Sequence, residues 1–330
     1  MARGTDQRPP PSRAALLSAG AAALAAAGAV ALLTVGPPDA RPGSGAQRLT
    51  ATEVADAGRP TRAAAAAGRL WAVELASRRL HEIDLARGEP VRPPRRLGSA
   101  GDLATDVAAT AEGAWVALAR TGTGWIVRVD AGTGRRRVLG TGDVSPSRIA
   151  PLPRAVAAVG DGRVAVLGTR GGRRWARSLP GALDVATGYG SVWTLATAPQ
   201  AGGLVTRWDP ATGRVVGRRA IPGAATAIAV GHGAVWVANG CAGGVLRAPV
   251  GPGPATCLAA AAGATDVAVE TGVWVADGDG ARLLRLEPAS GRVVASARTG
   301  SRPTALATGA DAVWALSGGG PLLRVQPAHS

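Results

Sequence analysis

The chain has 330 residues, with 37 basic against 22 acidic positions and a formal net charge of +15. Every basic position is Arg, Phe is absent, and Tyr and Asn occur once each, the bias that GC-rich codons produce. Along the chain the arginines are dispersed through many loops. This favours surface solvation over a nucleic-acid-binding face, with a polyanion-binding surface as the alternative.

Residues 1–13 carry Arg3, Arg8 and Arg13 against Asp6. Ala14 to Val35 then runs without a charge until Gly36-Pro37-Pro38. As a helix this stretch would be ~33 Å long, enough to cross a bilayer. It is mostly Ala, so insertion is marginal. It is read as a single transmembrane anchor, with a cleaved signal peptide and secretion as the alternative. The arginines before it hold residues 1–13 in the cytoplasm and put the rest on the extracytoplasmic side. Residues 36–46 read as a flexible tether.

The remaining residues, about 285, repeat. TRAAAAAGRLWAV from Thr61, TDVAATAEGAWVAL from Thr105, LDVATGYGSVWTL from Leu183, TAIAVGHGAVWVA from Thr226, TDVAVETGVWVA from Thr265 and TALATGADAVWAL from Thr304 are variants of one hairpin. Their Trp residues, Trp71, Trp115, Trp193, Trp236, Trp274 and Trp314, mark the phase. A degenerate copy from Ala155, AVAAVGDGRVAVL, puts Ala165 where Trp is expected. Six steps of about 40 residues separate Trp71 from Trp314, the spacing of propeller blades. The fold class is therefore all-β, a seven-bladed β-propeller over 47–327, with six blades and an irregular segment as the alternative. The broad Trp rings are expected to fill the widening gaps between blades.

Four strands, a to d from the axis outwards, are expected per blade. The c–d turn recurs as Asp130-Ala-Gly-Thr-Gly134, Asp209-Pro-Ala-Thr-Gly213 and Glu287-Pro-Ala-Ser-Gly291. The acid accepts from turn N–H groups and Gly supplies the positive φ. Strand c repeats an Arg on the face opposite its Leu or Val neighbours. The third copy, about 146–181, reads as a three-stranded blade preceded by an insertion, SPSRIAPLP from Ser145. The last copy stops after strand c, and residues 47–57 match the missing strand d. The two chain ends are thus expected to close the ring and remove free sheet edges.

The AVGHGAVWVAN and DPATGRVV patterns resemble bacterial YVTN and streptogramin-lyase-like (virginiamycin B lyase-like) propellers, across roughly residues 47–327. The resemblance implies a seven-bladed, often exported ring. Its lyase members use His and Glu with a divalent metal. Here the histidines are His81, His232 and His329, with no His-x-Glu pair. That argues against carrying the activity over. The Asp-x-x-Thr-Gly turn also looks like quinoprotein repeats, which place Trp elsewhere.

Cys241 and Cys257 fall in one copy, 16 residues apart across a hairpin. Outside the cytoplasm this suits a disulfide, with two buried thiols as the alternative. Asp277 and Asp279 lie in a hairpin turn that lacks the further ligands of a calcium loop. Aligning the copies on Trp gives a column at the start of strand a: Arg62, Asp106, Val156, Asp184, Ala227, Asp266 and Ala305. Either each Asp accepts bonds from its own d–a loop, or the three hold a cation or a basic ligand group at the channel mouth, with Arg62 as counter-charge. The expected function is a membrane-tethered binding or protein-interaction module without a cofactor, its partner an unidentified protein or small molecule. A metal-dependent propeller lyase or lactonase is the alternative.

Overall fold

The computed structural model describes residues 34–35, 47–54, 57–198, 202–258, 260–309 and 312–327. The expected basic segment 1–13, the apolar run up to residue 33, the tether 36–46 and His329 lie outside the described residues. Among those described, no helix is long and apolar enough to cross a membrane. Thr34–Val35, the end of the apolar run, pairs in parallel with Thr256 and Cys257.

Seven four-stranded antiparallel units follow one another. Blade one is Arg62–Ala66, Arg69–Val73, Arg79–Asp84 and Glu89–Arg96. Blade two is Leu103–Thr110, Gly113–Arg120, Thr123–Asp130 and Arg136–Gly140. Blade three is Arg148–Leu152, Ala155–Gly160, Arg163–Gly168 and Gly172–Ser178. Blade four is Ala182–Gly188, Ser191–Ala198, Gly202–Trp208 and Val215–Ile221. Blade five is Ala227–Gly231, Ala234–Cys241, Gly244–Pro249 and the short Thr256–Leu258. Blade six is Ala264–Val269, Val273–Asp277, Arg282–Leu286 and Val293–Arg298. Blade seven is Ala305–Gly309, Ala312–Leu316 and Leu322–Pro327, with Gln47–Glu53 as its fourth strand. The seven a strands touch in sequence and blade seven touches blade one, so the ring closes. Gln47–Glu53 pairs antiparallel with Leu322–Pro327 and, through Gln47 and Arg48, in parallel with the outer strand of blade six.

Blade three corrects the sequence reading. It has four strands, and the supposed insertion from Ser145 contains its a strand. AVAAVGDGRVAVL is the b–c hairpin, not the a–b hairpin. The cause lies in the turns. Asp161-Gly162, both at positive φ, supplies the tight two-residue turn that elsewhere joins a to b. Here a and b are joined by Pro153-Arg154, and the a strand contains Pro151, which reads as a strand breaker. In register, Trp71 opposes Ala64, Trp115 opposes Ala108, and Ala157 opposes Ala150. Ala157, not Ala165, therefore holds the Trp position.

In the six blades that carry it, this Trp is buried against the next blade. Trp71 packs with Val107 and Val116, Trp115 with Val156 and Ala158, and Trp236 with Val267 and Val275. Trp193, Trp274 and Trp314 do the same at their seams. Between blades three and four, Trp175 and Trp208 fill the space that Ala157 leaves, stacked with centroids 6.1 Å apart. The repeated strand-c arginines lie over these rings: Arg128 on Trp115, Arg207 on Trp193, Arg247 on Trp236 and Arg285 on Trp274. Each is a cation–π contact across a b–c register pair. The c–d turns also form as their chemistry requires, with Asp209 Oδ1 accepting from the Thr212 N–H (2.7 Å) and hydroxyl (2.8 Å).

Candidate functional site

Residues at the start of the a strands face one another around the axis. The preceding hydroxyl residue fixes that start. Thr61 Oγ1 donates to the Val73 carbonyl, Ser147 Oγ to Val159 and Thr226 Oγ1 to Ala238. Ser147-Arg148 therefore corresponds to Thr61-Arg62. The column is Arg62, Asp106, Arg148, Asp184, Ala227, Asp266 and Ala305, with Arg148 in place of Val156. Val156 instead packs in the seam between blades two and three. The Ser-Arg pair was the available signal for Arg148, hidden by the misplaced hairpin.

The column carries alternating charge over four blades. Arg62 Nε is 3.9 Å from Asp106 Oδ1, and Arg148 Nε is 3.9 Å from Asp184 Oδ1. Each Asp also staples its blade to the next. The Ile149 N–H donates to Asp106 Oδ2 at 2.8 Å, Ile228 N–H to Asp184 Oδ2 at 2.8 Å, and Leu306 N–H to Asp266 Oδ2 at 2.7 Å. Val185 and Val267 N–H groups reach the other oxygens of Asp184 and Asp266. The donors thus belong to the neighbouring a strand and the next residue, not to the preceding d–a loop.

Burial raises all three carboxyls above the ordinary range. Asp184 is pushed up to about 7 by burial, against the attraction of Arg148 and the Ile228 N–H and with the repulsion of Asp266. Burial also raises Asp106 against Arg148 and Arg62, and Asp266 against Arg62 and the Leu306 N–H. Asp266 is flanked in the column by Ala227 and Ala305. Among the described residues it makes no ion pair.

The other singled-out residues sit apart. Cys241 and Cys257 are joined in a disulfide (Cα–Cα 5.9 Å), tying the end of blade five's b strand to its three-residue d strand. Asp277 accepts from the Gly280 N–H and from Arg282 Nε at 2.7 Å, a local turn arrangement. His232 is exposed on the a–b turn of blade five. His81 is buried, its Nε2 2.9 Å from Glu74 Oε1, and Glu74 also accepts from Ser77. Seven residues separate this His–Glu pair, so no short motif revealed it. Gly58, at positive φ, lies over it, and a Cβ there would collide with Glu74 and the imidazole. Among the described residues, no group of three His, Cys, Asp or Glu is placed to hold a metal ion. A cleft of about 340 Å³ opens between blades four and five, with Trp193 and Ile221 in its wall and Arg218 and Arg219 at its edge.

These elements define the class: a seven-bladed β-propeller with a charged ring around its axis. No protein-family model matches the chain, and no curated protein matches it. In fold it is similar to virginiamycin B lyase from Staphylococcus aureus, at 13% identity over 85% of this chain and 99% of that one, TM-score 0.69. BamB from Moraxella catarrhalis is similar at 19% identity over 78% and 81%, TM-score 0.54. The Pan2 WD40 domain from Neurospora crassa is similar at 8% identity over 86% and 95%, TM-score 0.64. The resemblance read from the repeats therefore holds at the level of fold.

Proposed function

We propose that this propeller is a membrane-tethered, extracytoplasmic binding module that receives a cationic group of its partner at the axis. Asp266 carries this reading. It is a carboxylate without an ion pair, set between two alanines, in a ring whose other charges alternate. A lysine or arginine side chain of a partner protein, or the amine of a small molecule, would complete the alternation. The Cys241–Cys257 bridge supports an oxidising compartment, and the uncharged run 14–35 behind three arginines supports the tether. Similarity to BamB, to a WD40 domain and to a lyase fits several uses of the same ring, and the ring chemistry favours binding.

Two measurements test it. Protease added to intact spheroplasts should digest the propeller, and full protection would place it in the cytosol. Spermidine, a simple polyamine probe, should raise the melting temperature of the full chain at pH 8. Asp266→Asn should remove that shift; its one amide oxygen can accept from only one of the Leu306 and Val267 N–H groups, so the melt of the variant alone is the reference for its own shift. An equal shift in the variant would rule out Asp266 as the cation acceptor.

A further inference from the structure

The arginines that look dispersed along the chain are gathered by the fold. The outer strands of blades one to four, counting the residue just before the strand in blades two and four, carry three arginines apiece, twelve in all. Glu89 is the one carboxylate among them. The outer strand of blade five has no arginine, and that of blade six has Arg292 and Arg298. A codon bias that raises Arg content does not explain an uneven distribution around a ring of equivalent strands.

These charges are held but not cancelled. Among the described residues, only Arg92 and Arg173 of the twelve form ion pairs, with Glu82 and Asp143. Arg95, Arg137, Arg177 and Arg219 instead donate to backbone carbonyls of the following blade, those of Gly134, Arg170, Thr212 and Gly253. A carbonyl fixes a guanidinium without neutralising it, and other N–H donors of the fork stay open.

We propose that the outer rim of blades one to four binds a linear acidic polysaccharide, a chain with a carboxylate or sulfate on its repeating sugars. The choice of an envelope polymer rests on the extracytoplasmic reading. Shape supports it. The arc follows a convex rim across four blades, which a flexible chain can wrap. A flat anionic bilayer would touch such a rim at one or two blades. Duplex DNA, with a persistence length of about 50 nm, is too stiff to follow it. Single-stranded nucleic acid binds on exposed aromatic platforms, but the aromatic residue in these strands, Trp175, is buried.

The test is a NaCl series on the full chain with polygalacturonate and heparin as probes. Log affinity should fall linearly and steeply with log salt, as counterions leave. Arg96, Arg135, Arg214 and Arg218 make no side-chain hydrogen bond or ion pair among the described residues, so replacing all four by Gln should spare the fold. The slope should shrink by about four, roughly one per guanidinium. Arg292→Gln with Arg298→Gln, off the arc, should leave it unchanged. A wild-type slope shallower than about two, an unchanged slope in the quadruple variant, or tighter binding to phosphatidylglycerol vesicles or DNA than to the polysaccharides would each overturn the proposal. The wild-type slope needs no variant, so a folding defect cannot mask the outcome. Spheroplast proteolysis judges the compartment separately: binding in vitro by a cytosolic propeller would sink the location, and no binding by an exported one would sink the surface.

Discussion

The ring has one architecture and two chemical halves. Blades one to four present Arg62, Asp106, Arg148 and Asp184 at the axis and twelve arginines on the rim. Blades five to seven present Ala227, Asp266 and Ala305 at the axis and few rim charges. They also carry the disulfide within blade five and the N-terminal strand that completes blade seven and reaches blade six. All seven blades share the four-stranded antiparallel plan, while the interblade contacts differ: in the charged half Arg95, Arg137, Arg177 and Arg219 reach carbonyls of the following blade. The shared strand plan sets the sevenfold form, and the proposed recognition would use the charged side.

Removing residues 47–53 attacks the weakly charged half and should have the largest effect. It strips the partner from Leu322–Pro327 and frees two sheet edges. The melting temperature should fall further than for any single substitution, and a near-native melt would show that the seam does not need this strand. Next come the seam aromatics. Trp236→Ala empties a fully buried site in the weakly charged half and should cost about 3–5 kcal/mol in denaturant titration. Trp175→Ala in the charged half should cost a similar amount, if the aromatic volume matters rather than its strand. Ala157→Trp alone should overpack that seam by about 1–3 kcal/mol. Combined with Trp175→Ala it should recover part of the loss. A double variant no better than Trp175→Ala would show that the two positions do not exchange volume.

The repeat made most of this fold legible. The Trp spacing marked six blades and the end-matching suggested the closing strand. Blade three escaped because its Asp161-Gly162 turn imitates the hairpin that sets the phase, while Pro151 hides its first strand. That one slip replaced Arg148 by Val156 and concealed the alternation at the axis. The rim arc was illegible for a different reason. Its arginines come in groups about 40 residues apart, and only the ring brings them side by side. The Arg–Trp contacts were half visible, since alternation gave the face of the Arg but not the ring beneath it.

The smallest effect probes the matched charges at the axis. In an unfolded chain an Asp ionises near pH 3.9. In the folded protein burial holds Asp184 protonated up to about 7. Between these values the folded state binds a proton that the unfolded state has lost. Stability contributed by this group is therefore fully present below about pH 4 and is lost as pH rises to about 7. Asp106 and Asp266 shift in the same direction. Asp184→Asn cannot titrate, and its one amide oxygen keeps only one of the bonds from Ile228 and Val185, a loss that is the same at every pH. Between pH 4 and 7 the wild type should lose stability relative to this variant, on the order of one to a few kcal/mol. Above pH 7 the difference should level off, because the pull of the Arg148 guanidinium 3.9 Å away is already contained in the folded-state value. Asp266→Asn should shift the balance in the same direction, since burial raises the Asp266 carboxyl too. Urea titrations of the three proteins at pH 4, 6 and 8 would decide it. Parallel stability curves would mean that the ring ionises normally and that its two halves are electrostatically alike.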